Sequence, residues 1–162
     1  MIMNSWFECK IKLEKHVDGK DLPQKVTETY LVDALNFTEA EARIIEEVSP
    51  FCNNAPVDVD NIKRARYAEM FPCDLDSADK WYKVKCVFIS FDDKTQQEKK
   101  TSQNMLVQAG SVRDALKFFE EAMSGSMVDY EVAAIAETTI LDVFPYSQKE
   151  DKQNDKPEFE QG

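Results

Sequence analysis

The chain is 162 residues long and 43% hydrophobic, with ten Phe, and its 31 acidic against 20 basic residues leave a net charge of −11. That length suits one compact domain or two small packed repeats, and the apolar content excludes a wholly disordered chain. The negative balance excludes broad, sequence-blind binding to nucleic acid, although a local basic patch can still hold an anion.

The opening, MIMNSWFECKIK, turns charged too early to serve as a secretory hydrophobic region. No apolar run approaches the roughly 20 residues that span a bilayer. A cytoplasmic protein without membrane contact is expected.

In chain order, the first element is a strand over 6–13. Phe7, Cys9, Ile11 and Leu13 alternate there with Trp6, Glu8, Lys10 and Lys12, the period of a half-buried strand. A polar segment with Asp18 and Gly19 leads into a second strand, 25–34, as in a hairpin. Thr38 and Glu41 spell a capping box, which predicts a helix over 38–48 with Ala40, Ile44, Ile45 and Val48 on its apolar stripe. Pro50 stands near its end. A third strand spans 56–70. Val57 and Val59 share a parity that Ile62 does not, which calls for a β-bulge near Asp60 or Asn61.

The pattern then returns. WFECKIKL reappears as WYKVKCVF and YLVDA as MLVQA, both 75 residues on. TEAEARIIEEV matches SVRDALKFFEE at a shift of 73, as do Ile62, Phe71 and Pro72 with Ile135, Phe144 and Pro145. The second set of elements is therefore a strand at 81–88, where Tyr82, Val84, Cys86 and Phe88 alternate with Trp81, Lys83, Lys85 and Val87. A strand at 100–109 follows, then a helix at 111–121 and a strand at 128–144. Ser111 and Asp114 open that helix; Val112, Ala115, Phe118, Phe119 and Ala122 form its stripe, and Gly125 follows it.

The expected fold is α+β: a two-layer sandwich built from a duplicated strand–strand–helix–strand unit. Six largely antiparallel strands form a sheet, two helices lie on one face, and a pseudo-twofold relates the copies. The repeats span 1–75 and 76–146, packed as one domain. The polar stretch 147–162 is expected to be disordered.

Catalytic and metal chemistry find little support. Cys9, Cys52, Cys73 and Cys86 have no C-x-x-C spacing, and His16 is the single histidine, so neither a zinc site nor a Cys-His pair is expected. Cys9 aligns with Val84 and Cys86 with Ile11, which marks both as core. With four glycines in all, no phosphate-cradling Gly-rich loop exists. A protein without enzymatic activity or cofactor is expected.

Binding is the better reading. Lys63, Arg64 and Arg66, beside Tyr67, concentrate positive charge in an acidic chain, while the aligned stretch AETTI at 136–140 has none. Packing does not require those cations. Opposite the core face lie Trp6, Lys10 and Lys12, then Trp81, Lys83 and Lys85, rings and cations suited to bases and phosphates. Two roles follow. One is a binder of a nucleotide-like anion or single-stranded nucleic acid. The other is an acidic protein that docks on a partner protein through DVDN, CDLDSAD and the tail, mimicking the charge of nucleic acid. A sheet face carrying two tryptophans further predicts a homodimer.

The motifs WFECKIKLEK, TETYLVDALNFTEAEARI, IKRARYAEMF, WYKVK, MLVQA, MVDYE and DVFPY, spread over residues 5 to 146, resemble a family of small uncharacterised proteins of Bacteroidetes and their phages, a domain of unknown function. The resemblance implies a phage or mobile-element setting. Taken with the charge pattern, that setting makes the expected anion binder one that counters host defence by sequestering a nucleotide signal, and the expected docking partner a host or phage protein. It implies no catalytic residue.

Overall fold

The first helix is capped two residues earlier than expected. In the computed structural model, which describes residues 5–15, 18–52 and 55–145, the N-cap is Asn36 rather than Thr38. Asn36 Oδ1 accepts from the Glu39 N–H at 2.8 Å, and Glu39 Oε1 accepts from the Leu35 N–H at 3.2 Å. N-x-x-E and T-x-x-E overlap here, and the earlier start sets the Phe37 ring edge-on to Phe7 with centroids 4.9 Å apart. Ser111 caps the second helix as expected, accepting from the Asp114 N–H at 3.1 Å. The caps thus lie 75 residues apart. The buried positions agree: Ala40 with Ala115 and Ile44 with Phe119. By caps and buried positions the two helices match at a shift of 75 rather than 73.

The elements are β1 (Ser5–Lys15), β2 (Gln24–Ala34), α1 (Phe37–Val48), a 3-10 turn (Ser49–Cys52), β3 (Asp58–Ala65), β4 (Glu69–Phe71), β5 (Lys80–Asp92), β6 (Gln97–Ala109), α2 (Val112–Met123), β7 (Asp129–Glu137) and β8 (Ile140–Phe144). The fold is α+β with eight strands in two four-stranded sheets, ordered β3-β1-β2-β8 and β4-β6-β5-β7. Eight strands replace the expected six because each third strand breaks. Thr138 makes one break, donating from its N–H and Oγ1 to the Trp81 carbonyl and accepting at Oγ1 from the Ile140 N–H. At the other break the Ala68 N–H donates to the Asn104 carbonyl, which starts the parallel pairing of β4 with β6.

The chain divides into two units, residues 1–65 with 142–162, and residues 66–141. In the first, Phe7, Cys9 and Ile11 are fully buried with Ala40, Ile44 and Val48 of α1, as the alternation requires. Ile45 is exposed, and Arg43 takes the buried place on α1 instead. In the second, Tyr82, Val84 and Cys86 pack against Ala115 and Phe119, while Val112 and Ala122 lie exposed.

Each unit contains a bulge. Lys10 faces Asn61 and Ile11 faces Val59, which leaves Asp60 extra, where the parity change called for it. Lys85 faces Ala134 and Cys86 faces Val132, which leaves Ala133 extra, 73 residues on. The tail 147–162 lies outside the described residues.

Candidate functional site

The basic stretch diverges along a strand, because successive side chains of β3 point to opposite faces. Lys63 lies across from Glu8 and pairs with its carboxylate, Nζ to Oε2 at 3.0 Å. Arg64 lies across from Phe7, and its guanidinium stands 5.6 Å from the Phe7 ring centroid and 5.7 Å from that of Phe37. This is cation–π geometry at an exposed site, of roughly 0.5–1 kcal/mol. On the Lys63 side of the first unit, Lys12 also pairs, with Asp60 at 3.4 Å. Lys10 is exposed opposite Asn61 and Thr29, and Trp6 is half-buried.

In the second unit, Arg66 is exposed after β3 and Tyr67 is half-buried. Lys83 and Lys85 stand on the face of β5 opposite the core. Across from Lys83 lie Leu106 and Ala136; across from Lys85 lie Asn104 and Ala134. Both lysines are exposed, and among the described residues neither has an ion-pair partner. Trp81, two positions before Lys83, is only 4% exposed, so its ring is not offered to solvent for stacking. Its Nε1–H is buried and has no acceptor among the described residues, and an unmade hydrogen bond of this kind costs about 1–3 kcal/mol. Gln108, across from Trp81, is turned to other use: its Oε1 accepts from the Cys73 N–H at 2.9 Å.

The profile of a protein family described as Domain of unknown function (DUF4494) matches residues 5–146. The chain belongs to this family. No curated protein matches it.

The DUF4494 chain also holds a polar device that its hydrophobic pattern conceals. Arg43, 1% exposed in mid-helix, donates from its guanidinium to the backbone carbonyls of Asp33, Phe144 and Pro145. It thereby fixes the end of β8, about a hundred residues later, to the first unit, with the Glu47 carboxylate 3.9 Å away. A charged residue three positions after Ala40 and one before Ile44, within the expected apolar stripe, was the available signal. On the thiols, burial pushes the Cys9 pKa up to about 12, with Glu8 adding to the effect, and burial raises that of Cys86 as well. Thiols held protonated in this way are poor nucleophiles and suit packing. Among the described residues no cluster of His, Cys, Asp or Glu could hold a metal, and no helix is long and apolar enough to cross a membrane.

Proposed function

We propose that this protein is a non-enzymatic binding protein that takes a nucleotide-like anion on the outer face of β5. One observation carries the reading. Where the first unit sets Glu8 against Lys63, the second sets Lys83 against Ala136, so a cation stands without its counter-charge. Lys85 extends the charge along the strand, and Ala134 and Ala136 leave room beside both. The orphaned Trp81 Nε1–H lies on the same face. Lysines act on phosphate as point charges, which favours a compact phosphate-bearing ligand over a strand stacked on open rings.

Three further readings belong to the proposal. The chain is a duplication, with 1–75 and 76–146 as its copies within one domain. Ladder registers repeated at 75 and bulges repeated at 73 support this. The setting is the bacterial cytoplasm during phage or mobile-element carriage, on the strength of the family resemblance. Sequestration of a nucleotide signal used in host defence would follow from such a site in such a setting.

The test is equilibrium binding of nucleoside mono-, di- and triphosphates and of a short oligodeoxythymidylate, in low and high salt. Replacing Lys83 and Lys85 together by Glu weakens the bound nucleotide on the order of tenfold or more, since hydrogen bonds to charged groups contribute about 1.5–3 kcal/mol each. Unchanged affinity in that variant removes the site from β5. A second reading is favoured by Asp74, Leu75, Asp76 and Asp79, which form an exposed acidic stretch around an exposed leucine. It is an acidic docking surface for a host or phage protein. Recovery of one specific protein with the chain, and no bound nucleotide, favours that reading.

A further inference from the structure

One end of the first sheet is uneven. β1 stays paired with β2 as far as Lys15 opposite Gln24, but with β3 only as far as Lys12 opposite Asp58. A hollow of about 250 Å³ opens where β1 outruns β3. Leu13, Ala55 and Pro56 give it apolar walls. Lys12, Glu14, Lys25 and Asp58 give it charge.

These charges are not closed on one another. Glu14 lies directly across from Lys25 in the ladder, yet among the described residues neither has an ion-pair partner, and Asp58 has none. Of the four, Lys12 is engaged, by Asp60 at 3.4 Å. Two carboxylates and one ammonium are left around the hollow. Alternation puts all three on the face opposite Ile11 and Leu13. Lys25 stands on β2 and Asp58 on β3, two strand spacings or about 10 Å apart, with Glu14 on β1 between them.

We infer that this hollow binds a free basic amino acid of the lysine class. Such a molecule carries two ammonium groups and one carboxylate, the complement of what the hollow leaves unpaired. Its α-carboxylate meets Lys25 and its α-ammonium meets Glu14, so that the head group bridges the open cross-strand pair. Its aliphatic stem runs along Leu13, Ala55 and Pro56, and its distal ammonium reaches Asp58. The distance from Lys25 to Asp58 requires a ligand whose charges are spread along a chain rather than gathered at one end. A volume below the roughly 300–1,000 Å³ of ordinary ligand clefts suits a molecule of this size. Two unpaired carboxylates disfavour a phosphate here, so the site differs in chemistry from the Lys83 and Lys85 face, and its fate is independent of that proposal.

Ligands that differ by one charge test it, each titrated into the full chain and followed by amide chemical shifts. They are L-lysine, cadaverine, which lacks the carboxylate, and L-norleucine, which lacks the distal ammonium. L-Lysine binds at one site with a dissociation constant below about 1 mM, and the other two bind about tenfold or more weakly. Lys25→Gln removes the preference for lysine over cadaverine. Asp58→Asn removes the preference for lysine over norleucine, and Glu14→Gln weakens lysine about tenfold. The dipeptide Ala-Lys, whose lysine α-nitrogen is an amide, falls short by a similar factor; a dipeptide held as tightly as lysine overturns the assignment to the free amino acid. All three altered positions are exposed, and the ligand series on the unaltered chain stays decisive even if a variant folds poorly. No saturable binding of lysine up to about 10 mM overturns the proposal. So do lysine, cadaverine and norleucine held alike, or preferences that survive the variants.

Discussion

Two lysine-bearing strand faces, one in each unit, differ at corresponding places in their ladders. In the first unit, Lys63 and Lys12 are answered by Glu8 and Asp60. In the second, the places of Glu8, Lys63 and Asp60 are taken by Lys83, Ala136 and the bulged Ala133. The ladder forms in both. Cross-strand ion pairs therefore contribute little to it, as exposed pairs commonly do at about 0–1 kcal/mol. The unanswered lysines of β5 are those proposed above to hold an anion.

The helices offer a second contrast. Arg43 of α1 and Phe118 of α2 lie 75 residues apart at the same turn, one buried as a carbonyl donor and the other packed partly into the core. The edge strands follow suit. β8 ends on the Arg43 guanidinium, with Phe144 stacked on Tyr30 at 5.6 Å. β4 ends with Phe71 edge-on to Phe119 at 5.9 Å. The edge strand β8 adds guanidinium contacts to its aromatic stack, and the edge strand β4 rests on an aromatic contact with the helix.

The largest effect that would break this contrast is on stability. Arg43→Leu leaves three backbone carbonyls without their donor and lowers the unfolding free energy by about 3 kcal/mol. Phe118→Leu, at the corresponding place, costs about 1 kcal/mol. Denaturant titration of both variants checks the difference, and equal losses would deny Arg43 its special part.

Gly110 comes next. A Cβ there would collide with the backbone carbonyl of Ser77, whereas the residue 75 positions earlier is the exposed Leu35. Gly110→Ala therefore costs about 2 kcal/mol, the range of overpacking against atoms that cannot retreat. Leu35→Ala shifts stability by less than about 0.5 kcal/mol. Thermal melts of the two variants sharpen the comparison, and a harmless Gly110→Ala would mean that the segment carrying Ser77 yields.

The smallest effect concerns the basic stretch. Arg64→Glu with Arg66→Thr supplies the residues found 73 positions on, Glu137 and Thr139. It removes one exposed cation–π contact and lowers stability by about 1 kcal/mol or less. A melt far below the parent would make Arg64 part of the fold rather than its surface. Nucleotide affinity measured on the same variant separates a contribution of Arg66 from that of Lys83 and Lys85.

The sequence by itself determined the alternation that buries Phe7, Cys9, Ile11, Tyr82, Val84 and Cys86, because a pleated strand with one buried face imposes a period of two. It likewise determined the α+β class, the Ser111 cap and the bulge at Asp60, each written in neighbouring residues. Tertiary structure alone decided the rest, since long-range pairing has no local signature. It chose Asn36 over Thr38 by seating Phe37 on Phe7, and it sent β4 and β8 to the edges of different sheets. It buried Trp81 on the face where alternation predicts exposure, and it brought Arg43 to carbonyls a hundred residues away. The candidate site divides in the same way. Local spacing put Lys83 and Lys85 on one face, but only the paired register set Lys63 against Glu8 and left Lys83 against Ala136, because a counter-charge across a sheet belongs to a distant part of the chain.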